Sequence, residues 1–366
     1  MKKAIFKGQI LGILILLCSC GEKAEIAQKN EESKAAEVNA SAATPENLTC
    51  QVELHDPNLE MVLDGSVKLQ VLAEGFEIAE GPVWIPSIKT LLFSDVKGNK
   101  IHQWSEEKGS DVFLSPGGHT GRVPFFEGGV LGSNGLALDT AGNLIICQHG
   151  DRRLAKLAFD NITQEGLSTL TATYEGKRFN SPNDLTIAAN GDIYFTDPPY
   201  GLEGYDTSKI KEIPYNGIYK FTNEGNVFLL NSELTRPNGI ALSPDENTIY
   251  VANSDKENKV IMRYTLTDNY ITDSEIFFDA NHLESPGVPD GLKVDYFGNV
   301  FATGPGGVLV LSPEGDHLGT IRTGEITANV AWGQPQGDHR CSSNTLIMTA
   351  STSVYSCELR TKGCVP

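Results

Sequence analysis

The sequence predicts an all-β fold, a six-bladed β-propeller whose N-terminal strand closes the last blade. Three observations carry this expectation. One unit recurs about every 50 residues, the spacing of propeller blades, and six copies of it can be read along the chain. Each copy contains short apolar runs separated by Gly, Asn, Asp and Pro, the residues that favour turns between strands. Beyond the N-terminal segment, no window sustains the i, i+3, i+4 apolar stripe that an α/β alternative would need.

The units open at Glu80-Gly81-Pro82-Val83-Trp84, Asn134-Gly135-Leu136-Ala137-Leu138-Asp139, Asn183-Asp184-Leu185, Asn238-Gly239-Ile240-Ala241-Leu242, Asp290-Gly291-Leu292-Lys293-Val294-Asp295 and Asn329-Val330-Ala331-Trp332. After the opening strand comes a turn, such as Ala141-Gly142-Asn143, Asn190-Gly191-Asp192, Pro244-Asp245-Glu246-Asn247 or Phe297-Gly298-Asn299, and a second apolar strand. Third strands are predicted at 100–104, 153–159, 217–221, 260–266, 307–311 and 353–359, and fourth strands at 112–114, 168–173, 227–230, 275–278 and 318–322. The chain stops before a sixth fourth strand. The run at 67–72, ahead of the first unit, is the spare strand that would complete the last blade and join the two ends of the chain in one sheet.

The predicted domain layout is a lipoprotein signal peptide at 1–19, a tether at 20–49 and a propeller at 50–366. Lys2, Lys3 and Lys7 precede an apolar run at 10–17 that is too short for a permanent membrane span. The run ends in Leu17-Cys18-Ser19-Cys20, which resembles a bacterial lipobox and marks Cys20 for lipidation, so export and anchoring to a bacterial membrane are expected. The following stretch of Glu, Lys, Ala, Asn and Ser has too little apolar surface to offset its own ordering entropy. A formal net charge of −18 disfavours nucleic acid and electrostatic docking on anionic lipid, because both attract cations. Contact with the membrane is therefore expected through the lipid anchor alone. Cys147 lies inside an apolar run and reads as a buried thiol. Spacing leaves the pairing of Cys50, Cys341, Cys357 and Cys364 open.

In a propeller, the innermost strand of each blade begins beside the central channel. The opening residues Glu80, Asn134, Asn183, Asn238, Asp290 and Asn329 therefore converge on one axial point. They offer carboxylate and amide oxygens without sulfur or imidazole, a set suited to a hard divalent cation such as Ca²⁺. Taken singly, each Asn-Gly or Asp-Gly pair also reads as ordinary turn chemistry.

These residues, together with Ser181-Pro182-Asn183-Asp184, Phe195-Thr196-Asp197-Pro198-Pro199-Tyr200-Gly201-Leu202, Arg236-Pro237-Asn238-Gly239 and Pro289-Asp290-Gly291, resemble the gluconolactonase, regucalcin-like (SMP-30) family over about residues 67–363. The resemblance implies metal-dependent hydrolysis of a sugar lactone. It assigns metal ligation to Glu80, Asn238 and Asp290, with Asn183 as a fourth ligand. It makes Asp290 the first candidate for activating water; Asp184 is the second. The resemblance also implies a substrate position for Arg178, where this chain reads Arg178-Phe179-Asn180 and not Arg-x-Asn-Asp. Asn134 and Asn329 are left to face the substrate.

Second strands return to the metal face, so the loops after them should line the mouth. That places His149, Tyr200, Tyr205 and the loop at 115–129 at the rim, with His149 orienting substrate or moving a proton and the tyrosines covering a sugar ring. Two other readings share the fold: a non-catalytic, calcium-stabilised binding propeller, and an arylesterase or organophosphatase.

Overall fold

The computed structural model describes residues 47–49, 51–124, 129–335 and 340–364. The signal segment, Cys20, Cys50 and the tether as far as residue 46 lie outside the described residues. Six antiparallel sheets form the blades, and a separate two-stranded hairpin, Thr173–Tyr174 with Lys177–Arg178, stands beside them. The first blade runs Ala79–Ile85, Thr90–Asp95, Lys100–Ser105, Gly109–Leu114, with each strand paired to the next. The second to fifth blades repeat that order from Ser133–Leu138, Leu185–Ile187, Pro237–Leu242 and Leu292–Val294.

The last blade closes as the spare strand required. Lys68–Glu74 pairs antiparallel with Ser353–Gly363, placing Val71 opposite Tyr355, and completes the sheet begun by Thr327–Trp332. Two further strands were not foreseen. Asn47–Thr49, which the sequence reading gave to the tether, pairs with Lys68–Glu74, and Gln51–Leu54 pairs with His317–Arg322 of the fifth blade. Each covers the outer edge of a blade, where an unpaired row of N–H and C=O groups recruits even a short polar segment.

Second strands are buried along their whole length in several blades, as in Leu144–Gln148 and Val300–Gly304, because each sheet is sandwiched between its neighbours. Their sequences accordingly read as near-continuous apolar runs. Phe93, Phe195 and Phe301 are fully enclosed, and each such burial contributes roughly 1.5–3 kcal/mol. A disulfide joins Cys341 to Cys364, and Cys147 is a buried free thiol.

Two of the glycines that follow the opening residues, Gly135 and Gly239, are not explained by turns. A Cβ on Gly239 would lie 2.1 Å from the Asp290 carbonyl oxygen, and one on Gly135 would lie 2.7 Å from Asp184 Oδ1. Both glycines sit inside strands. They are needed because the next blade's first strand passes directly over them, and the turn reading of these pairs is corrected accordingly.

Candidate active site

Hydrogen bonds to the end of the second strand hold the start of the inner strand in three blades. Asp95, at the end of the first blade's second strand, accepts from the backbone N–H groups of Ile78 (3.1 Å) and Glu77 (3.3 Å), just ahead of Glu80. Asp197 does the same in the third blade, accepting from Asn180 (2.7 Å) and Ser181 (2.8 Å), just ahead of Asn183. In the fourth blade Asn253 Oδ1 accepts from the Arg236 N–H at 2.8 Å, ahead of Asn238. Burial pushes the Asp197 carboxyl up to about 7, against the pull of those two backbone donors and of Arg152 and Lys211.

Hydroxyls on the second strands then tie blade to blade. Ser94 donates to the Asn134 carbonyl (2.8 Å), Thr196 to that of Asn238 (2.7 Å), Ser254 to that of Pro289 (2.5 Å) and Thr303 to that of Ala328 (2.9 Å). None of these hydroxyls receives a role from the sequence, although Thr196 lies in one of the family motifs. Their signal was present as a Ser or Thr near the end of the second strand, as in Phe93-Ser94-Asp95 and Phe195-Thr196-Asp197.

Glu80, Asn134, Asn183, Asp184, Asn238 and Asn329 are all buried, whereas Asp290 retains partial exposure. Glu80 Oε2 accepts from the Gly81 N–H at 2.8 Å and from the Asn329 amide at 3.1 Å. Asp184 Oδ1 accepts from the Leu185 N–H (2.9 Å), and its Oδ2 accepts from the Asn329 amide (3.3 Å). Asp184 occupies the position that is glycine in four other repeats, and Gly135 of the preceding blade leaves the space for it.

Glu80 and Asp290 each feel the charge of acidic groups beside them. Burial and then the charge of Asp184 raise Glu80 to about 7, with Lys293 among the groups pulling it down. Burial, then Glu80 and Asp184, raise Asp290 well above the carboxylate range. Among the six opening residues, three buried side-chain oxygens have no hydrogen-bond partner: Asn134 Oδ1, Asn183 Oδ1 and Asp290 Oδ1. Leaving such acceptors unsatisfied costs about 1–3 kcal/mol each. Among the described residues no three His, Cys, Asp or Glu side chains form a ligand cluster by themselves, so a cation here would be held by carboxylates and amides together. Crowded carboxylates and orphaned amide oxygens fit a hard divalent cation.

The rim differs from the sequence reading in two places. His149 is 1 % exposed, with Nδ1 3.1 Å from the Val130 carbonyl oxygen and Nε2 3.3 Å from Asn183 Nδ2. Burial pushes its pKa down to about 4, so it is a neutral internal group and not a rim residue. Arg178 lies exposed on the separate hairpin, near Glu212 at 3.9 Å, because its sequence neighbour Phe179 takes the buried position. Tyr200 does stand over the site. Its phenol neighbours Ser254 and Asn238, and burial followed by the Asp290 charge raises its pKa, which keeps it a hydrogen-bond donor. Tyr205 is half exposed and meets Tyr200 edge-on, with centroids 6.1 Å apart.

Two cavities lie elsewhere. One of about 250 Å³ follows the later parts of the inner strands, lined by residues such as Val83, Leu136 and Ala331. A groove of about 830 Å³ between the last and first blades is lined by Trp84, Trp104 and Glu358. Neither contains any of the axial opening residues.

The chain is similar to known proteins over most of its length. The sequence profile of the SMP-30/Gluconolactonase/LRE-like region matches residues 78–351. A gluconolactonase of Zymomonas mobilis is 36 % identical over 338 residues, 90 % of this chain and 91 % of that protein. A pentonolactonase of Haloferax volcanii is 24 % identical, covering 74 % of this chain and 82 % of its own length. The solved structure of a gluconolactonase from Xanthomonas campestris superposes with a TM-score of 0.73 at 28 % identity, covering 86 % of this chain and 97 % of the other.

Proposed function

Because the chain belongs to the SMP-30/gluconolactonase/LRE-like family and is a lactone hydrolase, we propose that it opens a sugar lactone, an aldonolactone, to the aldonic acid with a divalent cation, Ca²⁺, at the propeller axis. The observation that carries this reading is the set of buried, unpartnered oxygens on Asn134, Asn183 and Asp290, gathered with Glu80 and Asp184 at one end of the channel.

Glu80, Asn183, Asn238 and Asp290 would hold the cation. When bound, it would polarise the lactone carbonyl and offset the charge that develops on that oxygen. Asp290 is the base, since its Oδ1 has no hydrogen bond, whereas both oxygens of Asp184 accept one. It takes a proton from water as the water oxygen bonds to the carbonyl carbon, and returns it to the ring oxygen as the ring C–O bond breaks. Asp184 and Asn329 orient the carboxylate face. Tyr200 donates to a sugar oxygen from above.

Acid release from glucono-1,5-lactone by the full-length chain, measured against the spontaneous rate, tests the proposal. Turnover should require Ca²⁺, stop with chelator and fall by more than about 100-fold in Asp290→Ala. Folded protein that hydrolyses no aldonolactone, or does so equally in chelator, would overturn it.

We further propose that the exported protein is lipidated at Cys20. Mass spectrometry of the mature N-terminus should find a diacylglyceryl group on that sulfur; an unmodified or uncleaved terminus refutes it.

A further inference from the structure

Building on the reading of the axial oxygens as cation ligands, we propose that His149 is a positioning residue that decides which atom of the Asn183 amide faces the axis. An asparagine amide has an oxygen and a nitrogen of nearly the same shape, and only the oxygen can ligate a cation. Something behind the amide must therefore fix its orientation.

The Val130 carbonyl oxygen, 3.1 Å from His149 Nδ1, can only accept a hydrogen bond, so Nδ1 carries the proton. Nε2 of the neutral ring is then a lone-pair acceptor, and it lies 3.3 Å from Asn183 Nδ2. The amide nitrogen is thereby committed to the histidine. The opposite atom, Asn183 Oδ1, is left buried with no partner.

The main chain that carries the ring is held as well. The His149 backbone N–H donates to the Gly132 carbonyl at 3.1 Å, and Gly201 packs so closely that an added Cβ there would lie 3.0 Å from the His149 Cβ. Asn329 provides the contrast. Its Oδ1 accepts from the Val330 N–H (2.9 Å), and its Nδ2 faces Glu80 and Asp184. Two axial asparagines therefore present opposite atoms, and the group behind each sets the choice.

Ca²⁺ affinity, measured by titration calorimetry on full-length protein stripped of metal, tests this through a double-mutant cycle. His149→Phe should weaken binding by roughly 10–100-fold, the usual effect of losing a group that orients a ligand. His149→Gln, which retains an acceptor for the amide, should bind more tightly than His149→Phe. In an Asn183→Asp background either side-chain atom is an oxygen, so adding His149→Phe should change affinity by no more than about twofold. An unchanged affinity in His149→Phe, or an equal loss in both backgrounds, overturns the positioning role while leaving the metal site standing. Wild-type protein that binds neither Ca²⁺ nor another divalent ion overturns the metal reading and this inference with it.

Discussion

The side-chain amide of Asn329 reaches Glu80 Oε2 at 3.1 Å and Asp184 Oδ2 at 3.3 Å, so one nitrogen of the sixth blade bridges carboxylates of the first and third. It is a neutral donor placed where two buried acidic groups would otherwise repel each other.

Asn329→Ala removes that donor from both carboxylates. Stability should fall by about 1–3 kcal/mol, and lactonase kcat/KM should fall by tenfold or more. Urea denaturation and initial-rate kinetics measure the two. An unaltered kcat/KM would show that the bridge does not shape the catalytic face.

Tyr200→Phe retains the ring and removes only the hydroxyl that neighbours Ser254 and Asn238. The expected outcome is a severalfold higher KM with a smaller change in kcat, because a hydrogen bond to bound substrate is lost in ground and transition states alike.

Gly239→Ala would put a methyl 2.1 Å from the Asp290 carbonyl oxygen, and backbone cannot yield as a flexible side chain can. The substitution should cost several times more stability than Gly142→Ala, which has a φ of 81° and open space around it and should cost about 1 kcal/mol. Comparable unfolding midpoints for the two variants would contradict the close-approach account.

His317 gives the fold an acid-sensitive point away from the axis. Burial, then the neighbouring His55, lowers its pKa from 6.5 to about 4; Glu53 and the Gly319 backbone oppose this, and His282 adds to it. The folded value lies below the unfolded one, so below pH 6.5 the unfolded chain binds the proton more readily. The contribution is therefore intact above pH 6.5 and is lost as pH falls towards 4. Between pH 7.5 and 4.5 the wild type should lose on the order of 1 kcal/mol more than His317→Phe, after allowing for solvent screening.

The Cys341–Cys364 bond spans 23 residues of the closing blade. Reducing it should lower stability by about 3 kcal/mol through the entropy returned to the unfolded chain. Denaturation midpoints with and without reductant provide the check, and a Cys341→Ser, Cys364→Ser double variant should match the reduced protein.

The sequence alone determined the repeat, the number of blades, the closing strand and the axial oxygens. Those depend on local period and on residues that recur at one position in each unit, from Glu80 to Asn329. It could not reveal which amide atom each asparagine presents, because that depends on groups far away in the chain, such as His149 behind Asn183 and the Glu80 and Asp184 carboxylates facing Asn329. His149 looked like a rim residue because it follows a second strand. The fold buries it, since the segment around Val130 crosses above and binds its ring nitrogen. Arg178 looked like a substrate residue from its motif, yet the hairpin turns it outward to Glu212. The cross-blade demand on Gly135 and Gly239 was likewise invisible. A glycine chosen for turn geometry and one chosen for the approach of a neighbouring strand are the same letter, and only the packing of one blade against the next distinguishes them.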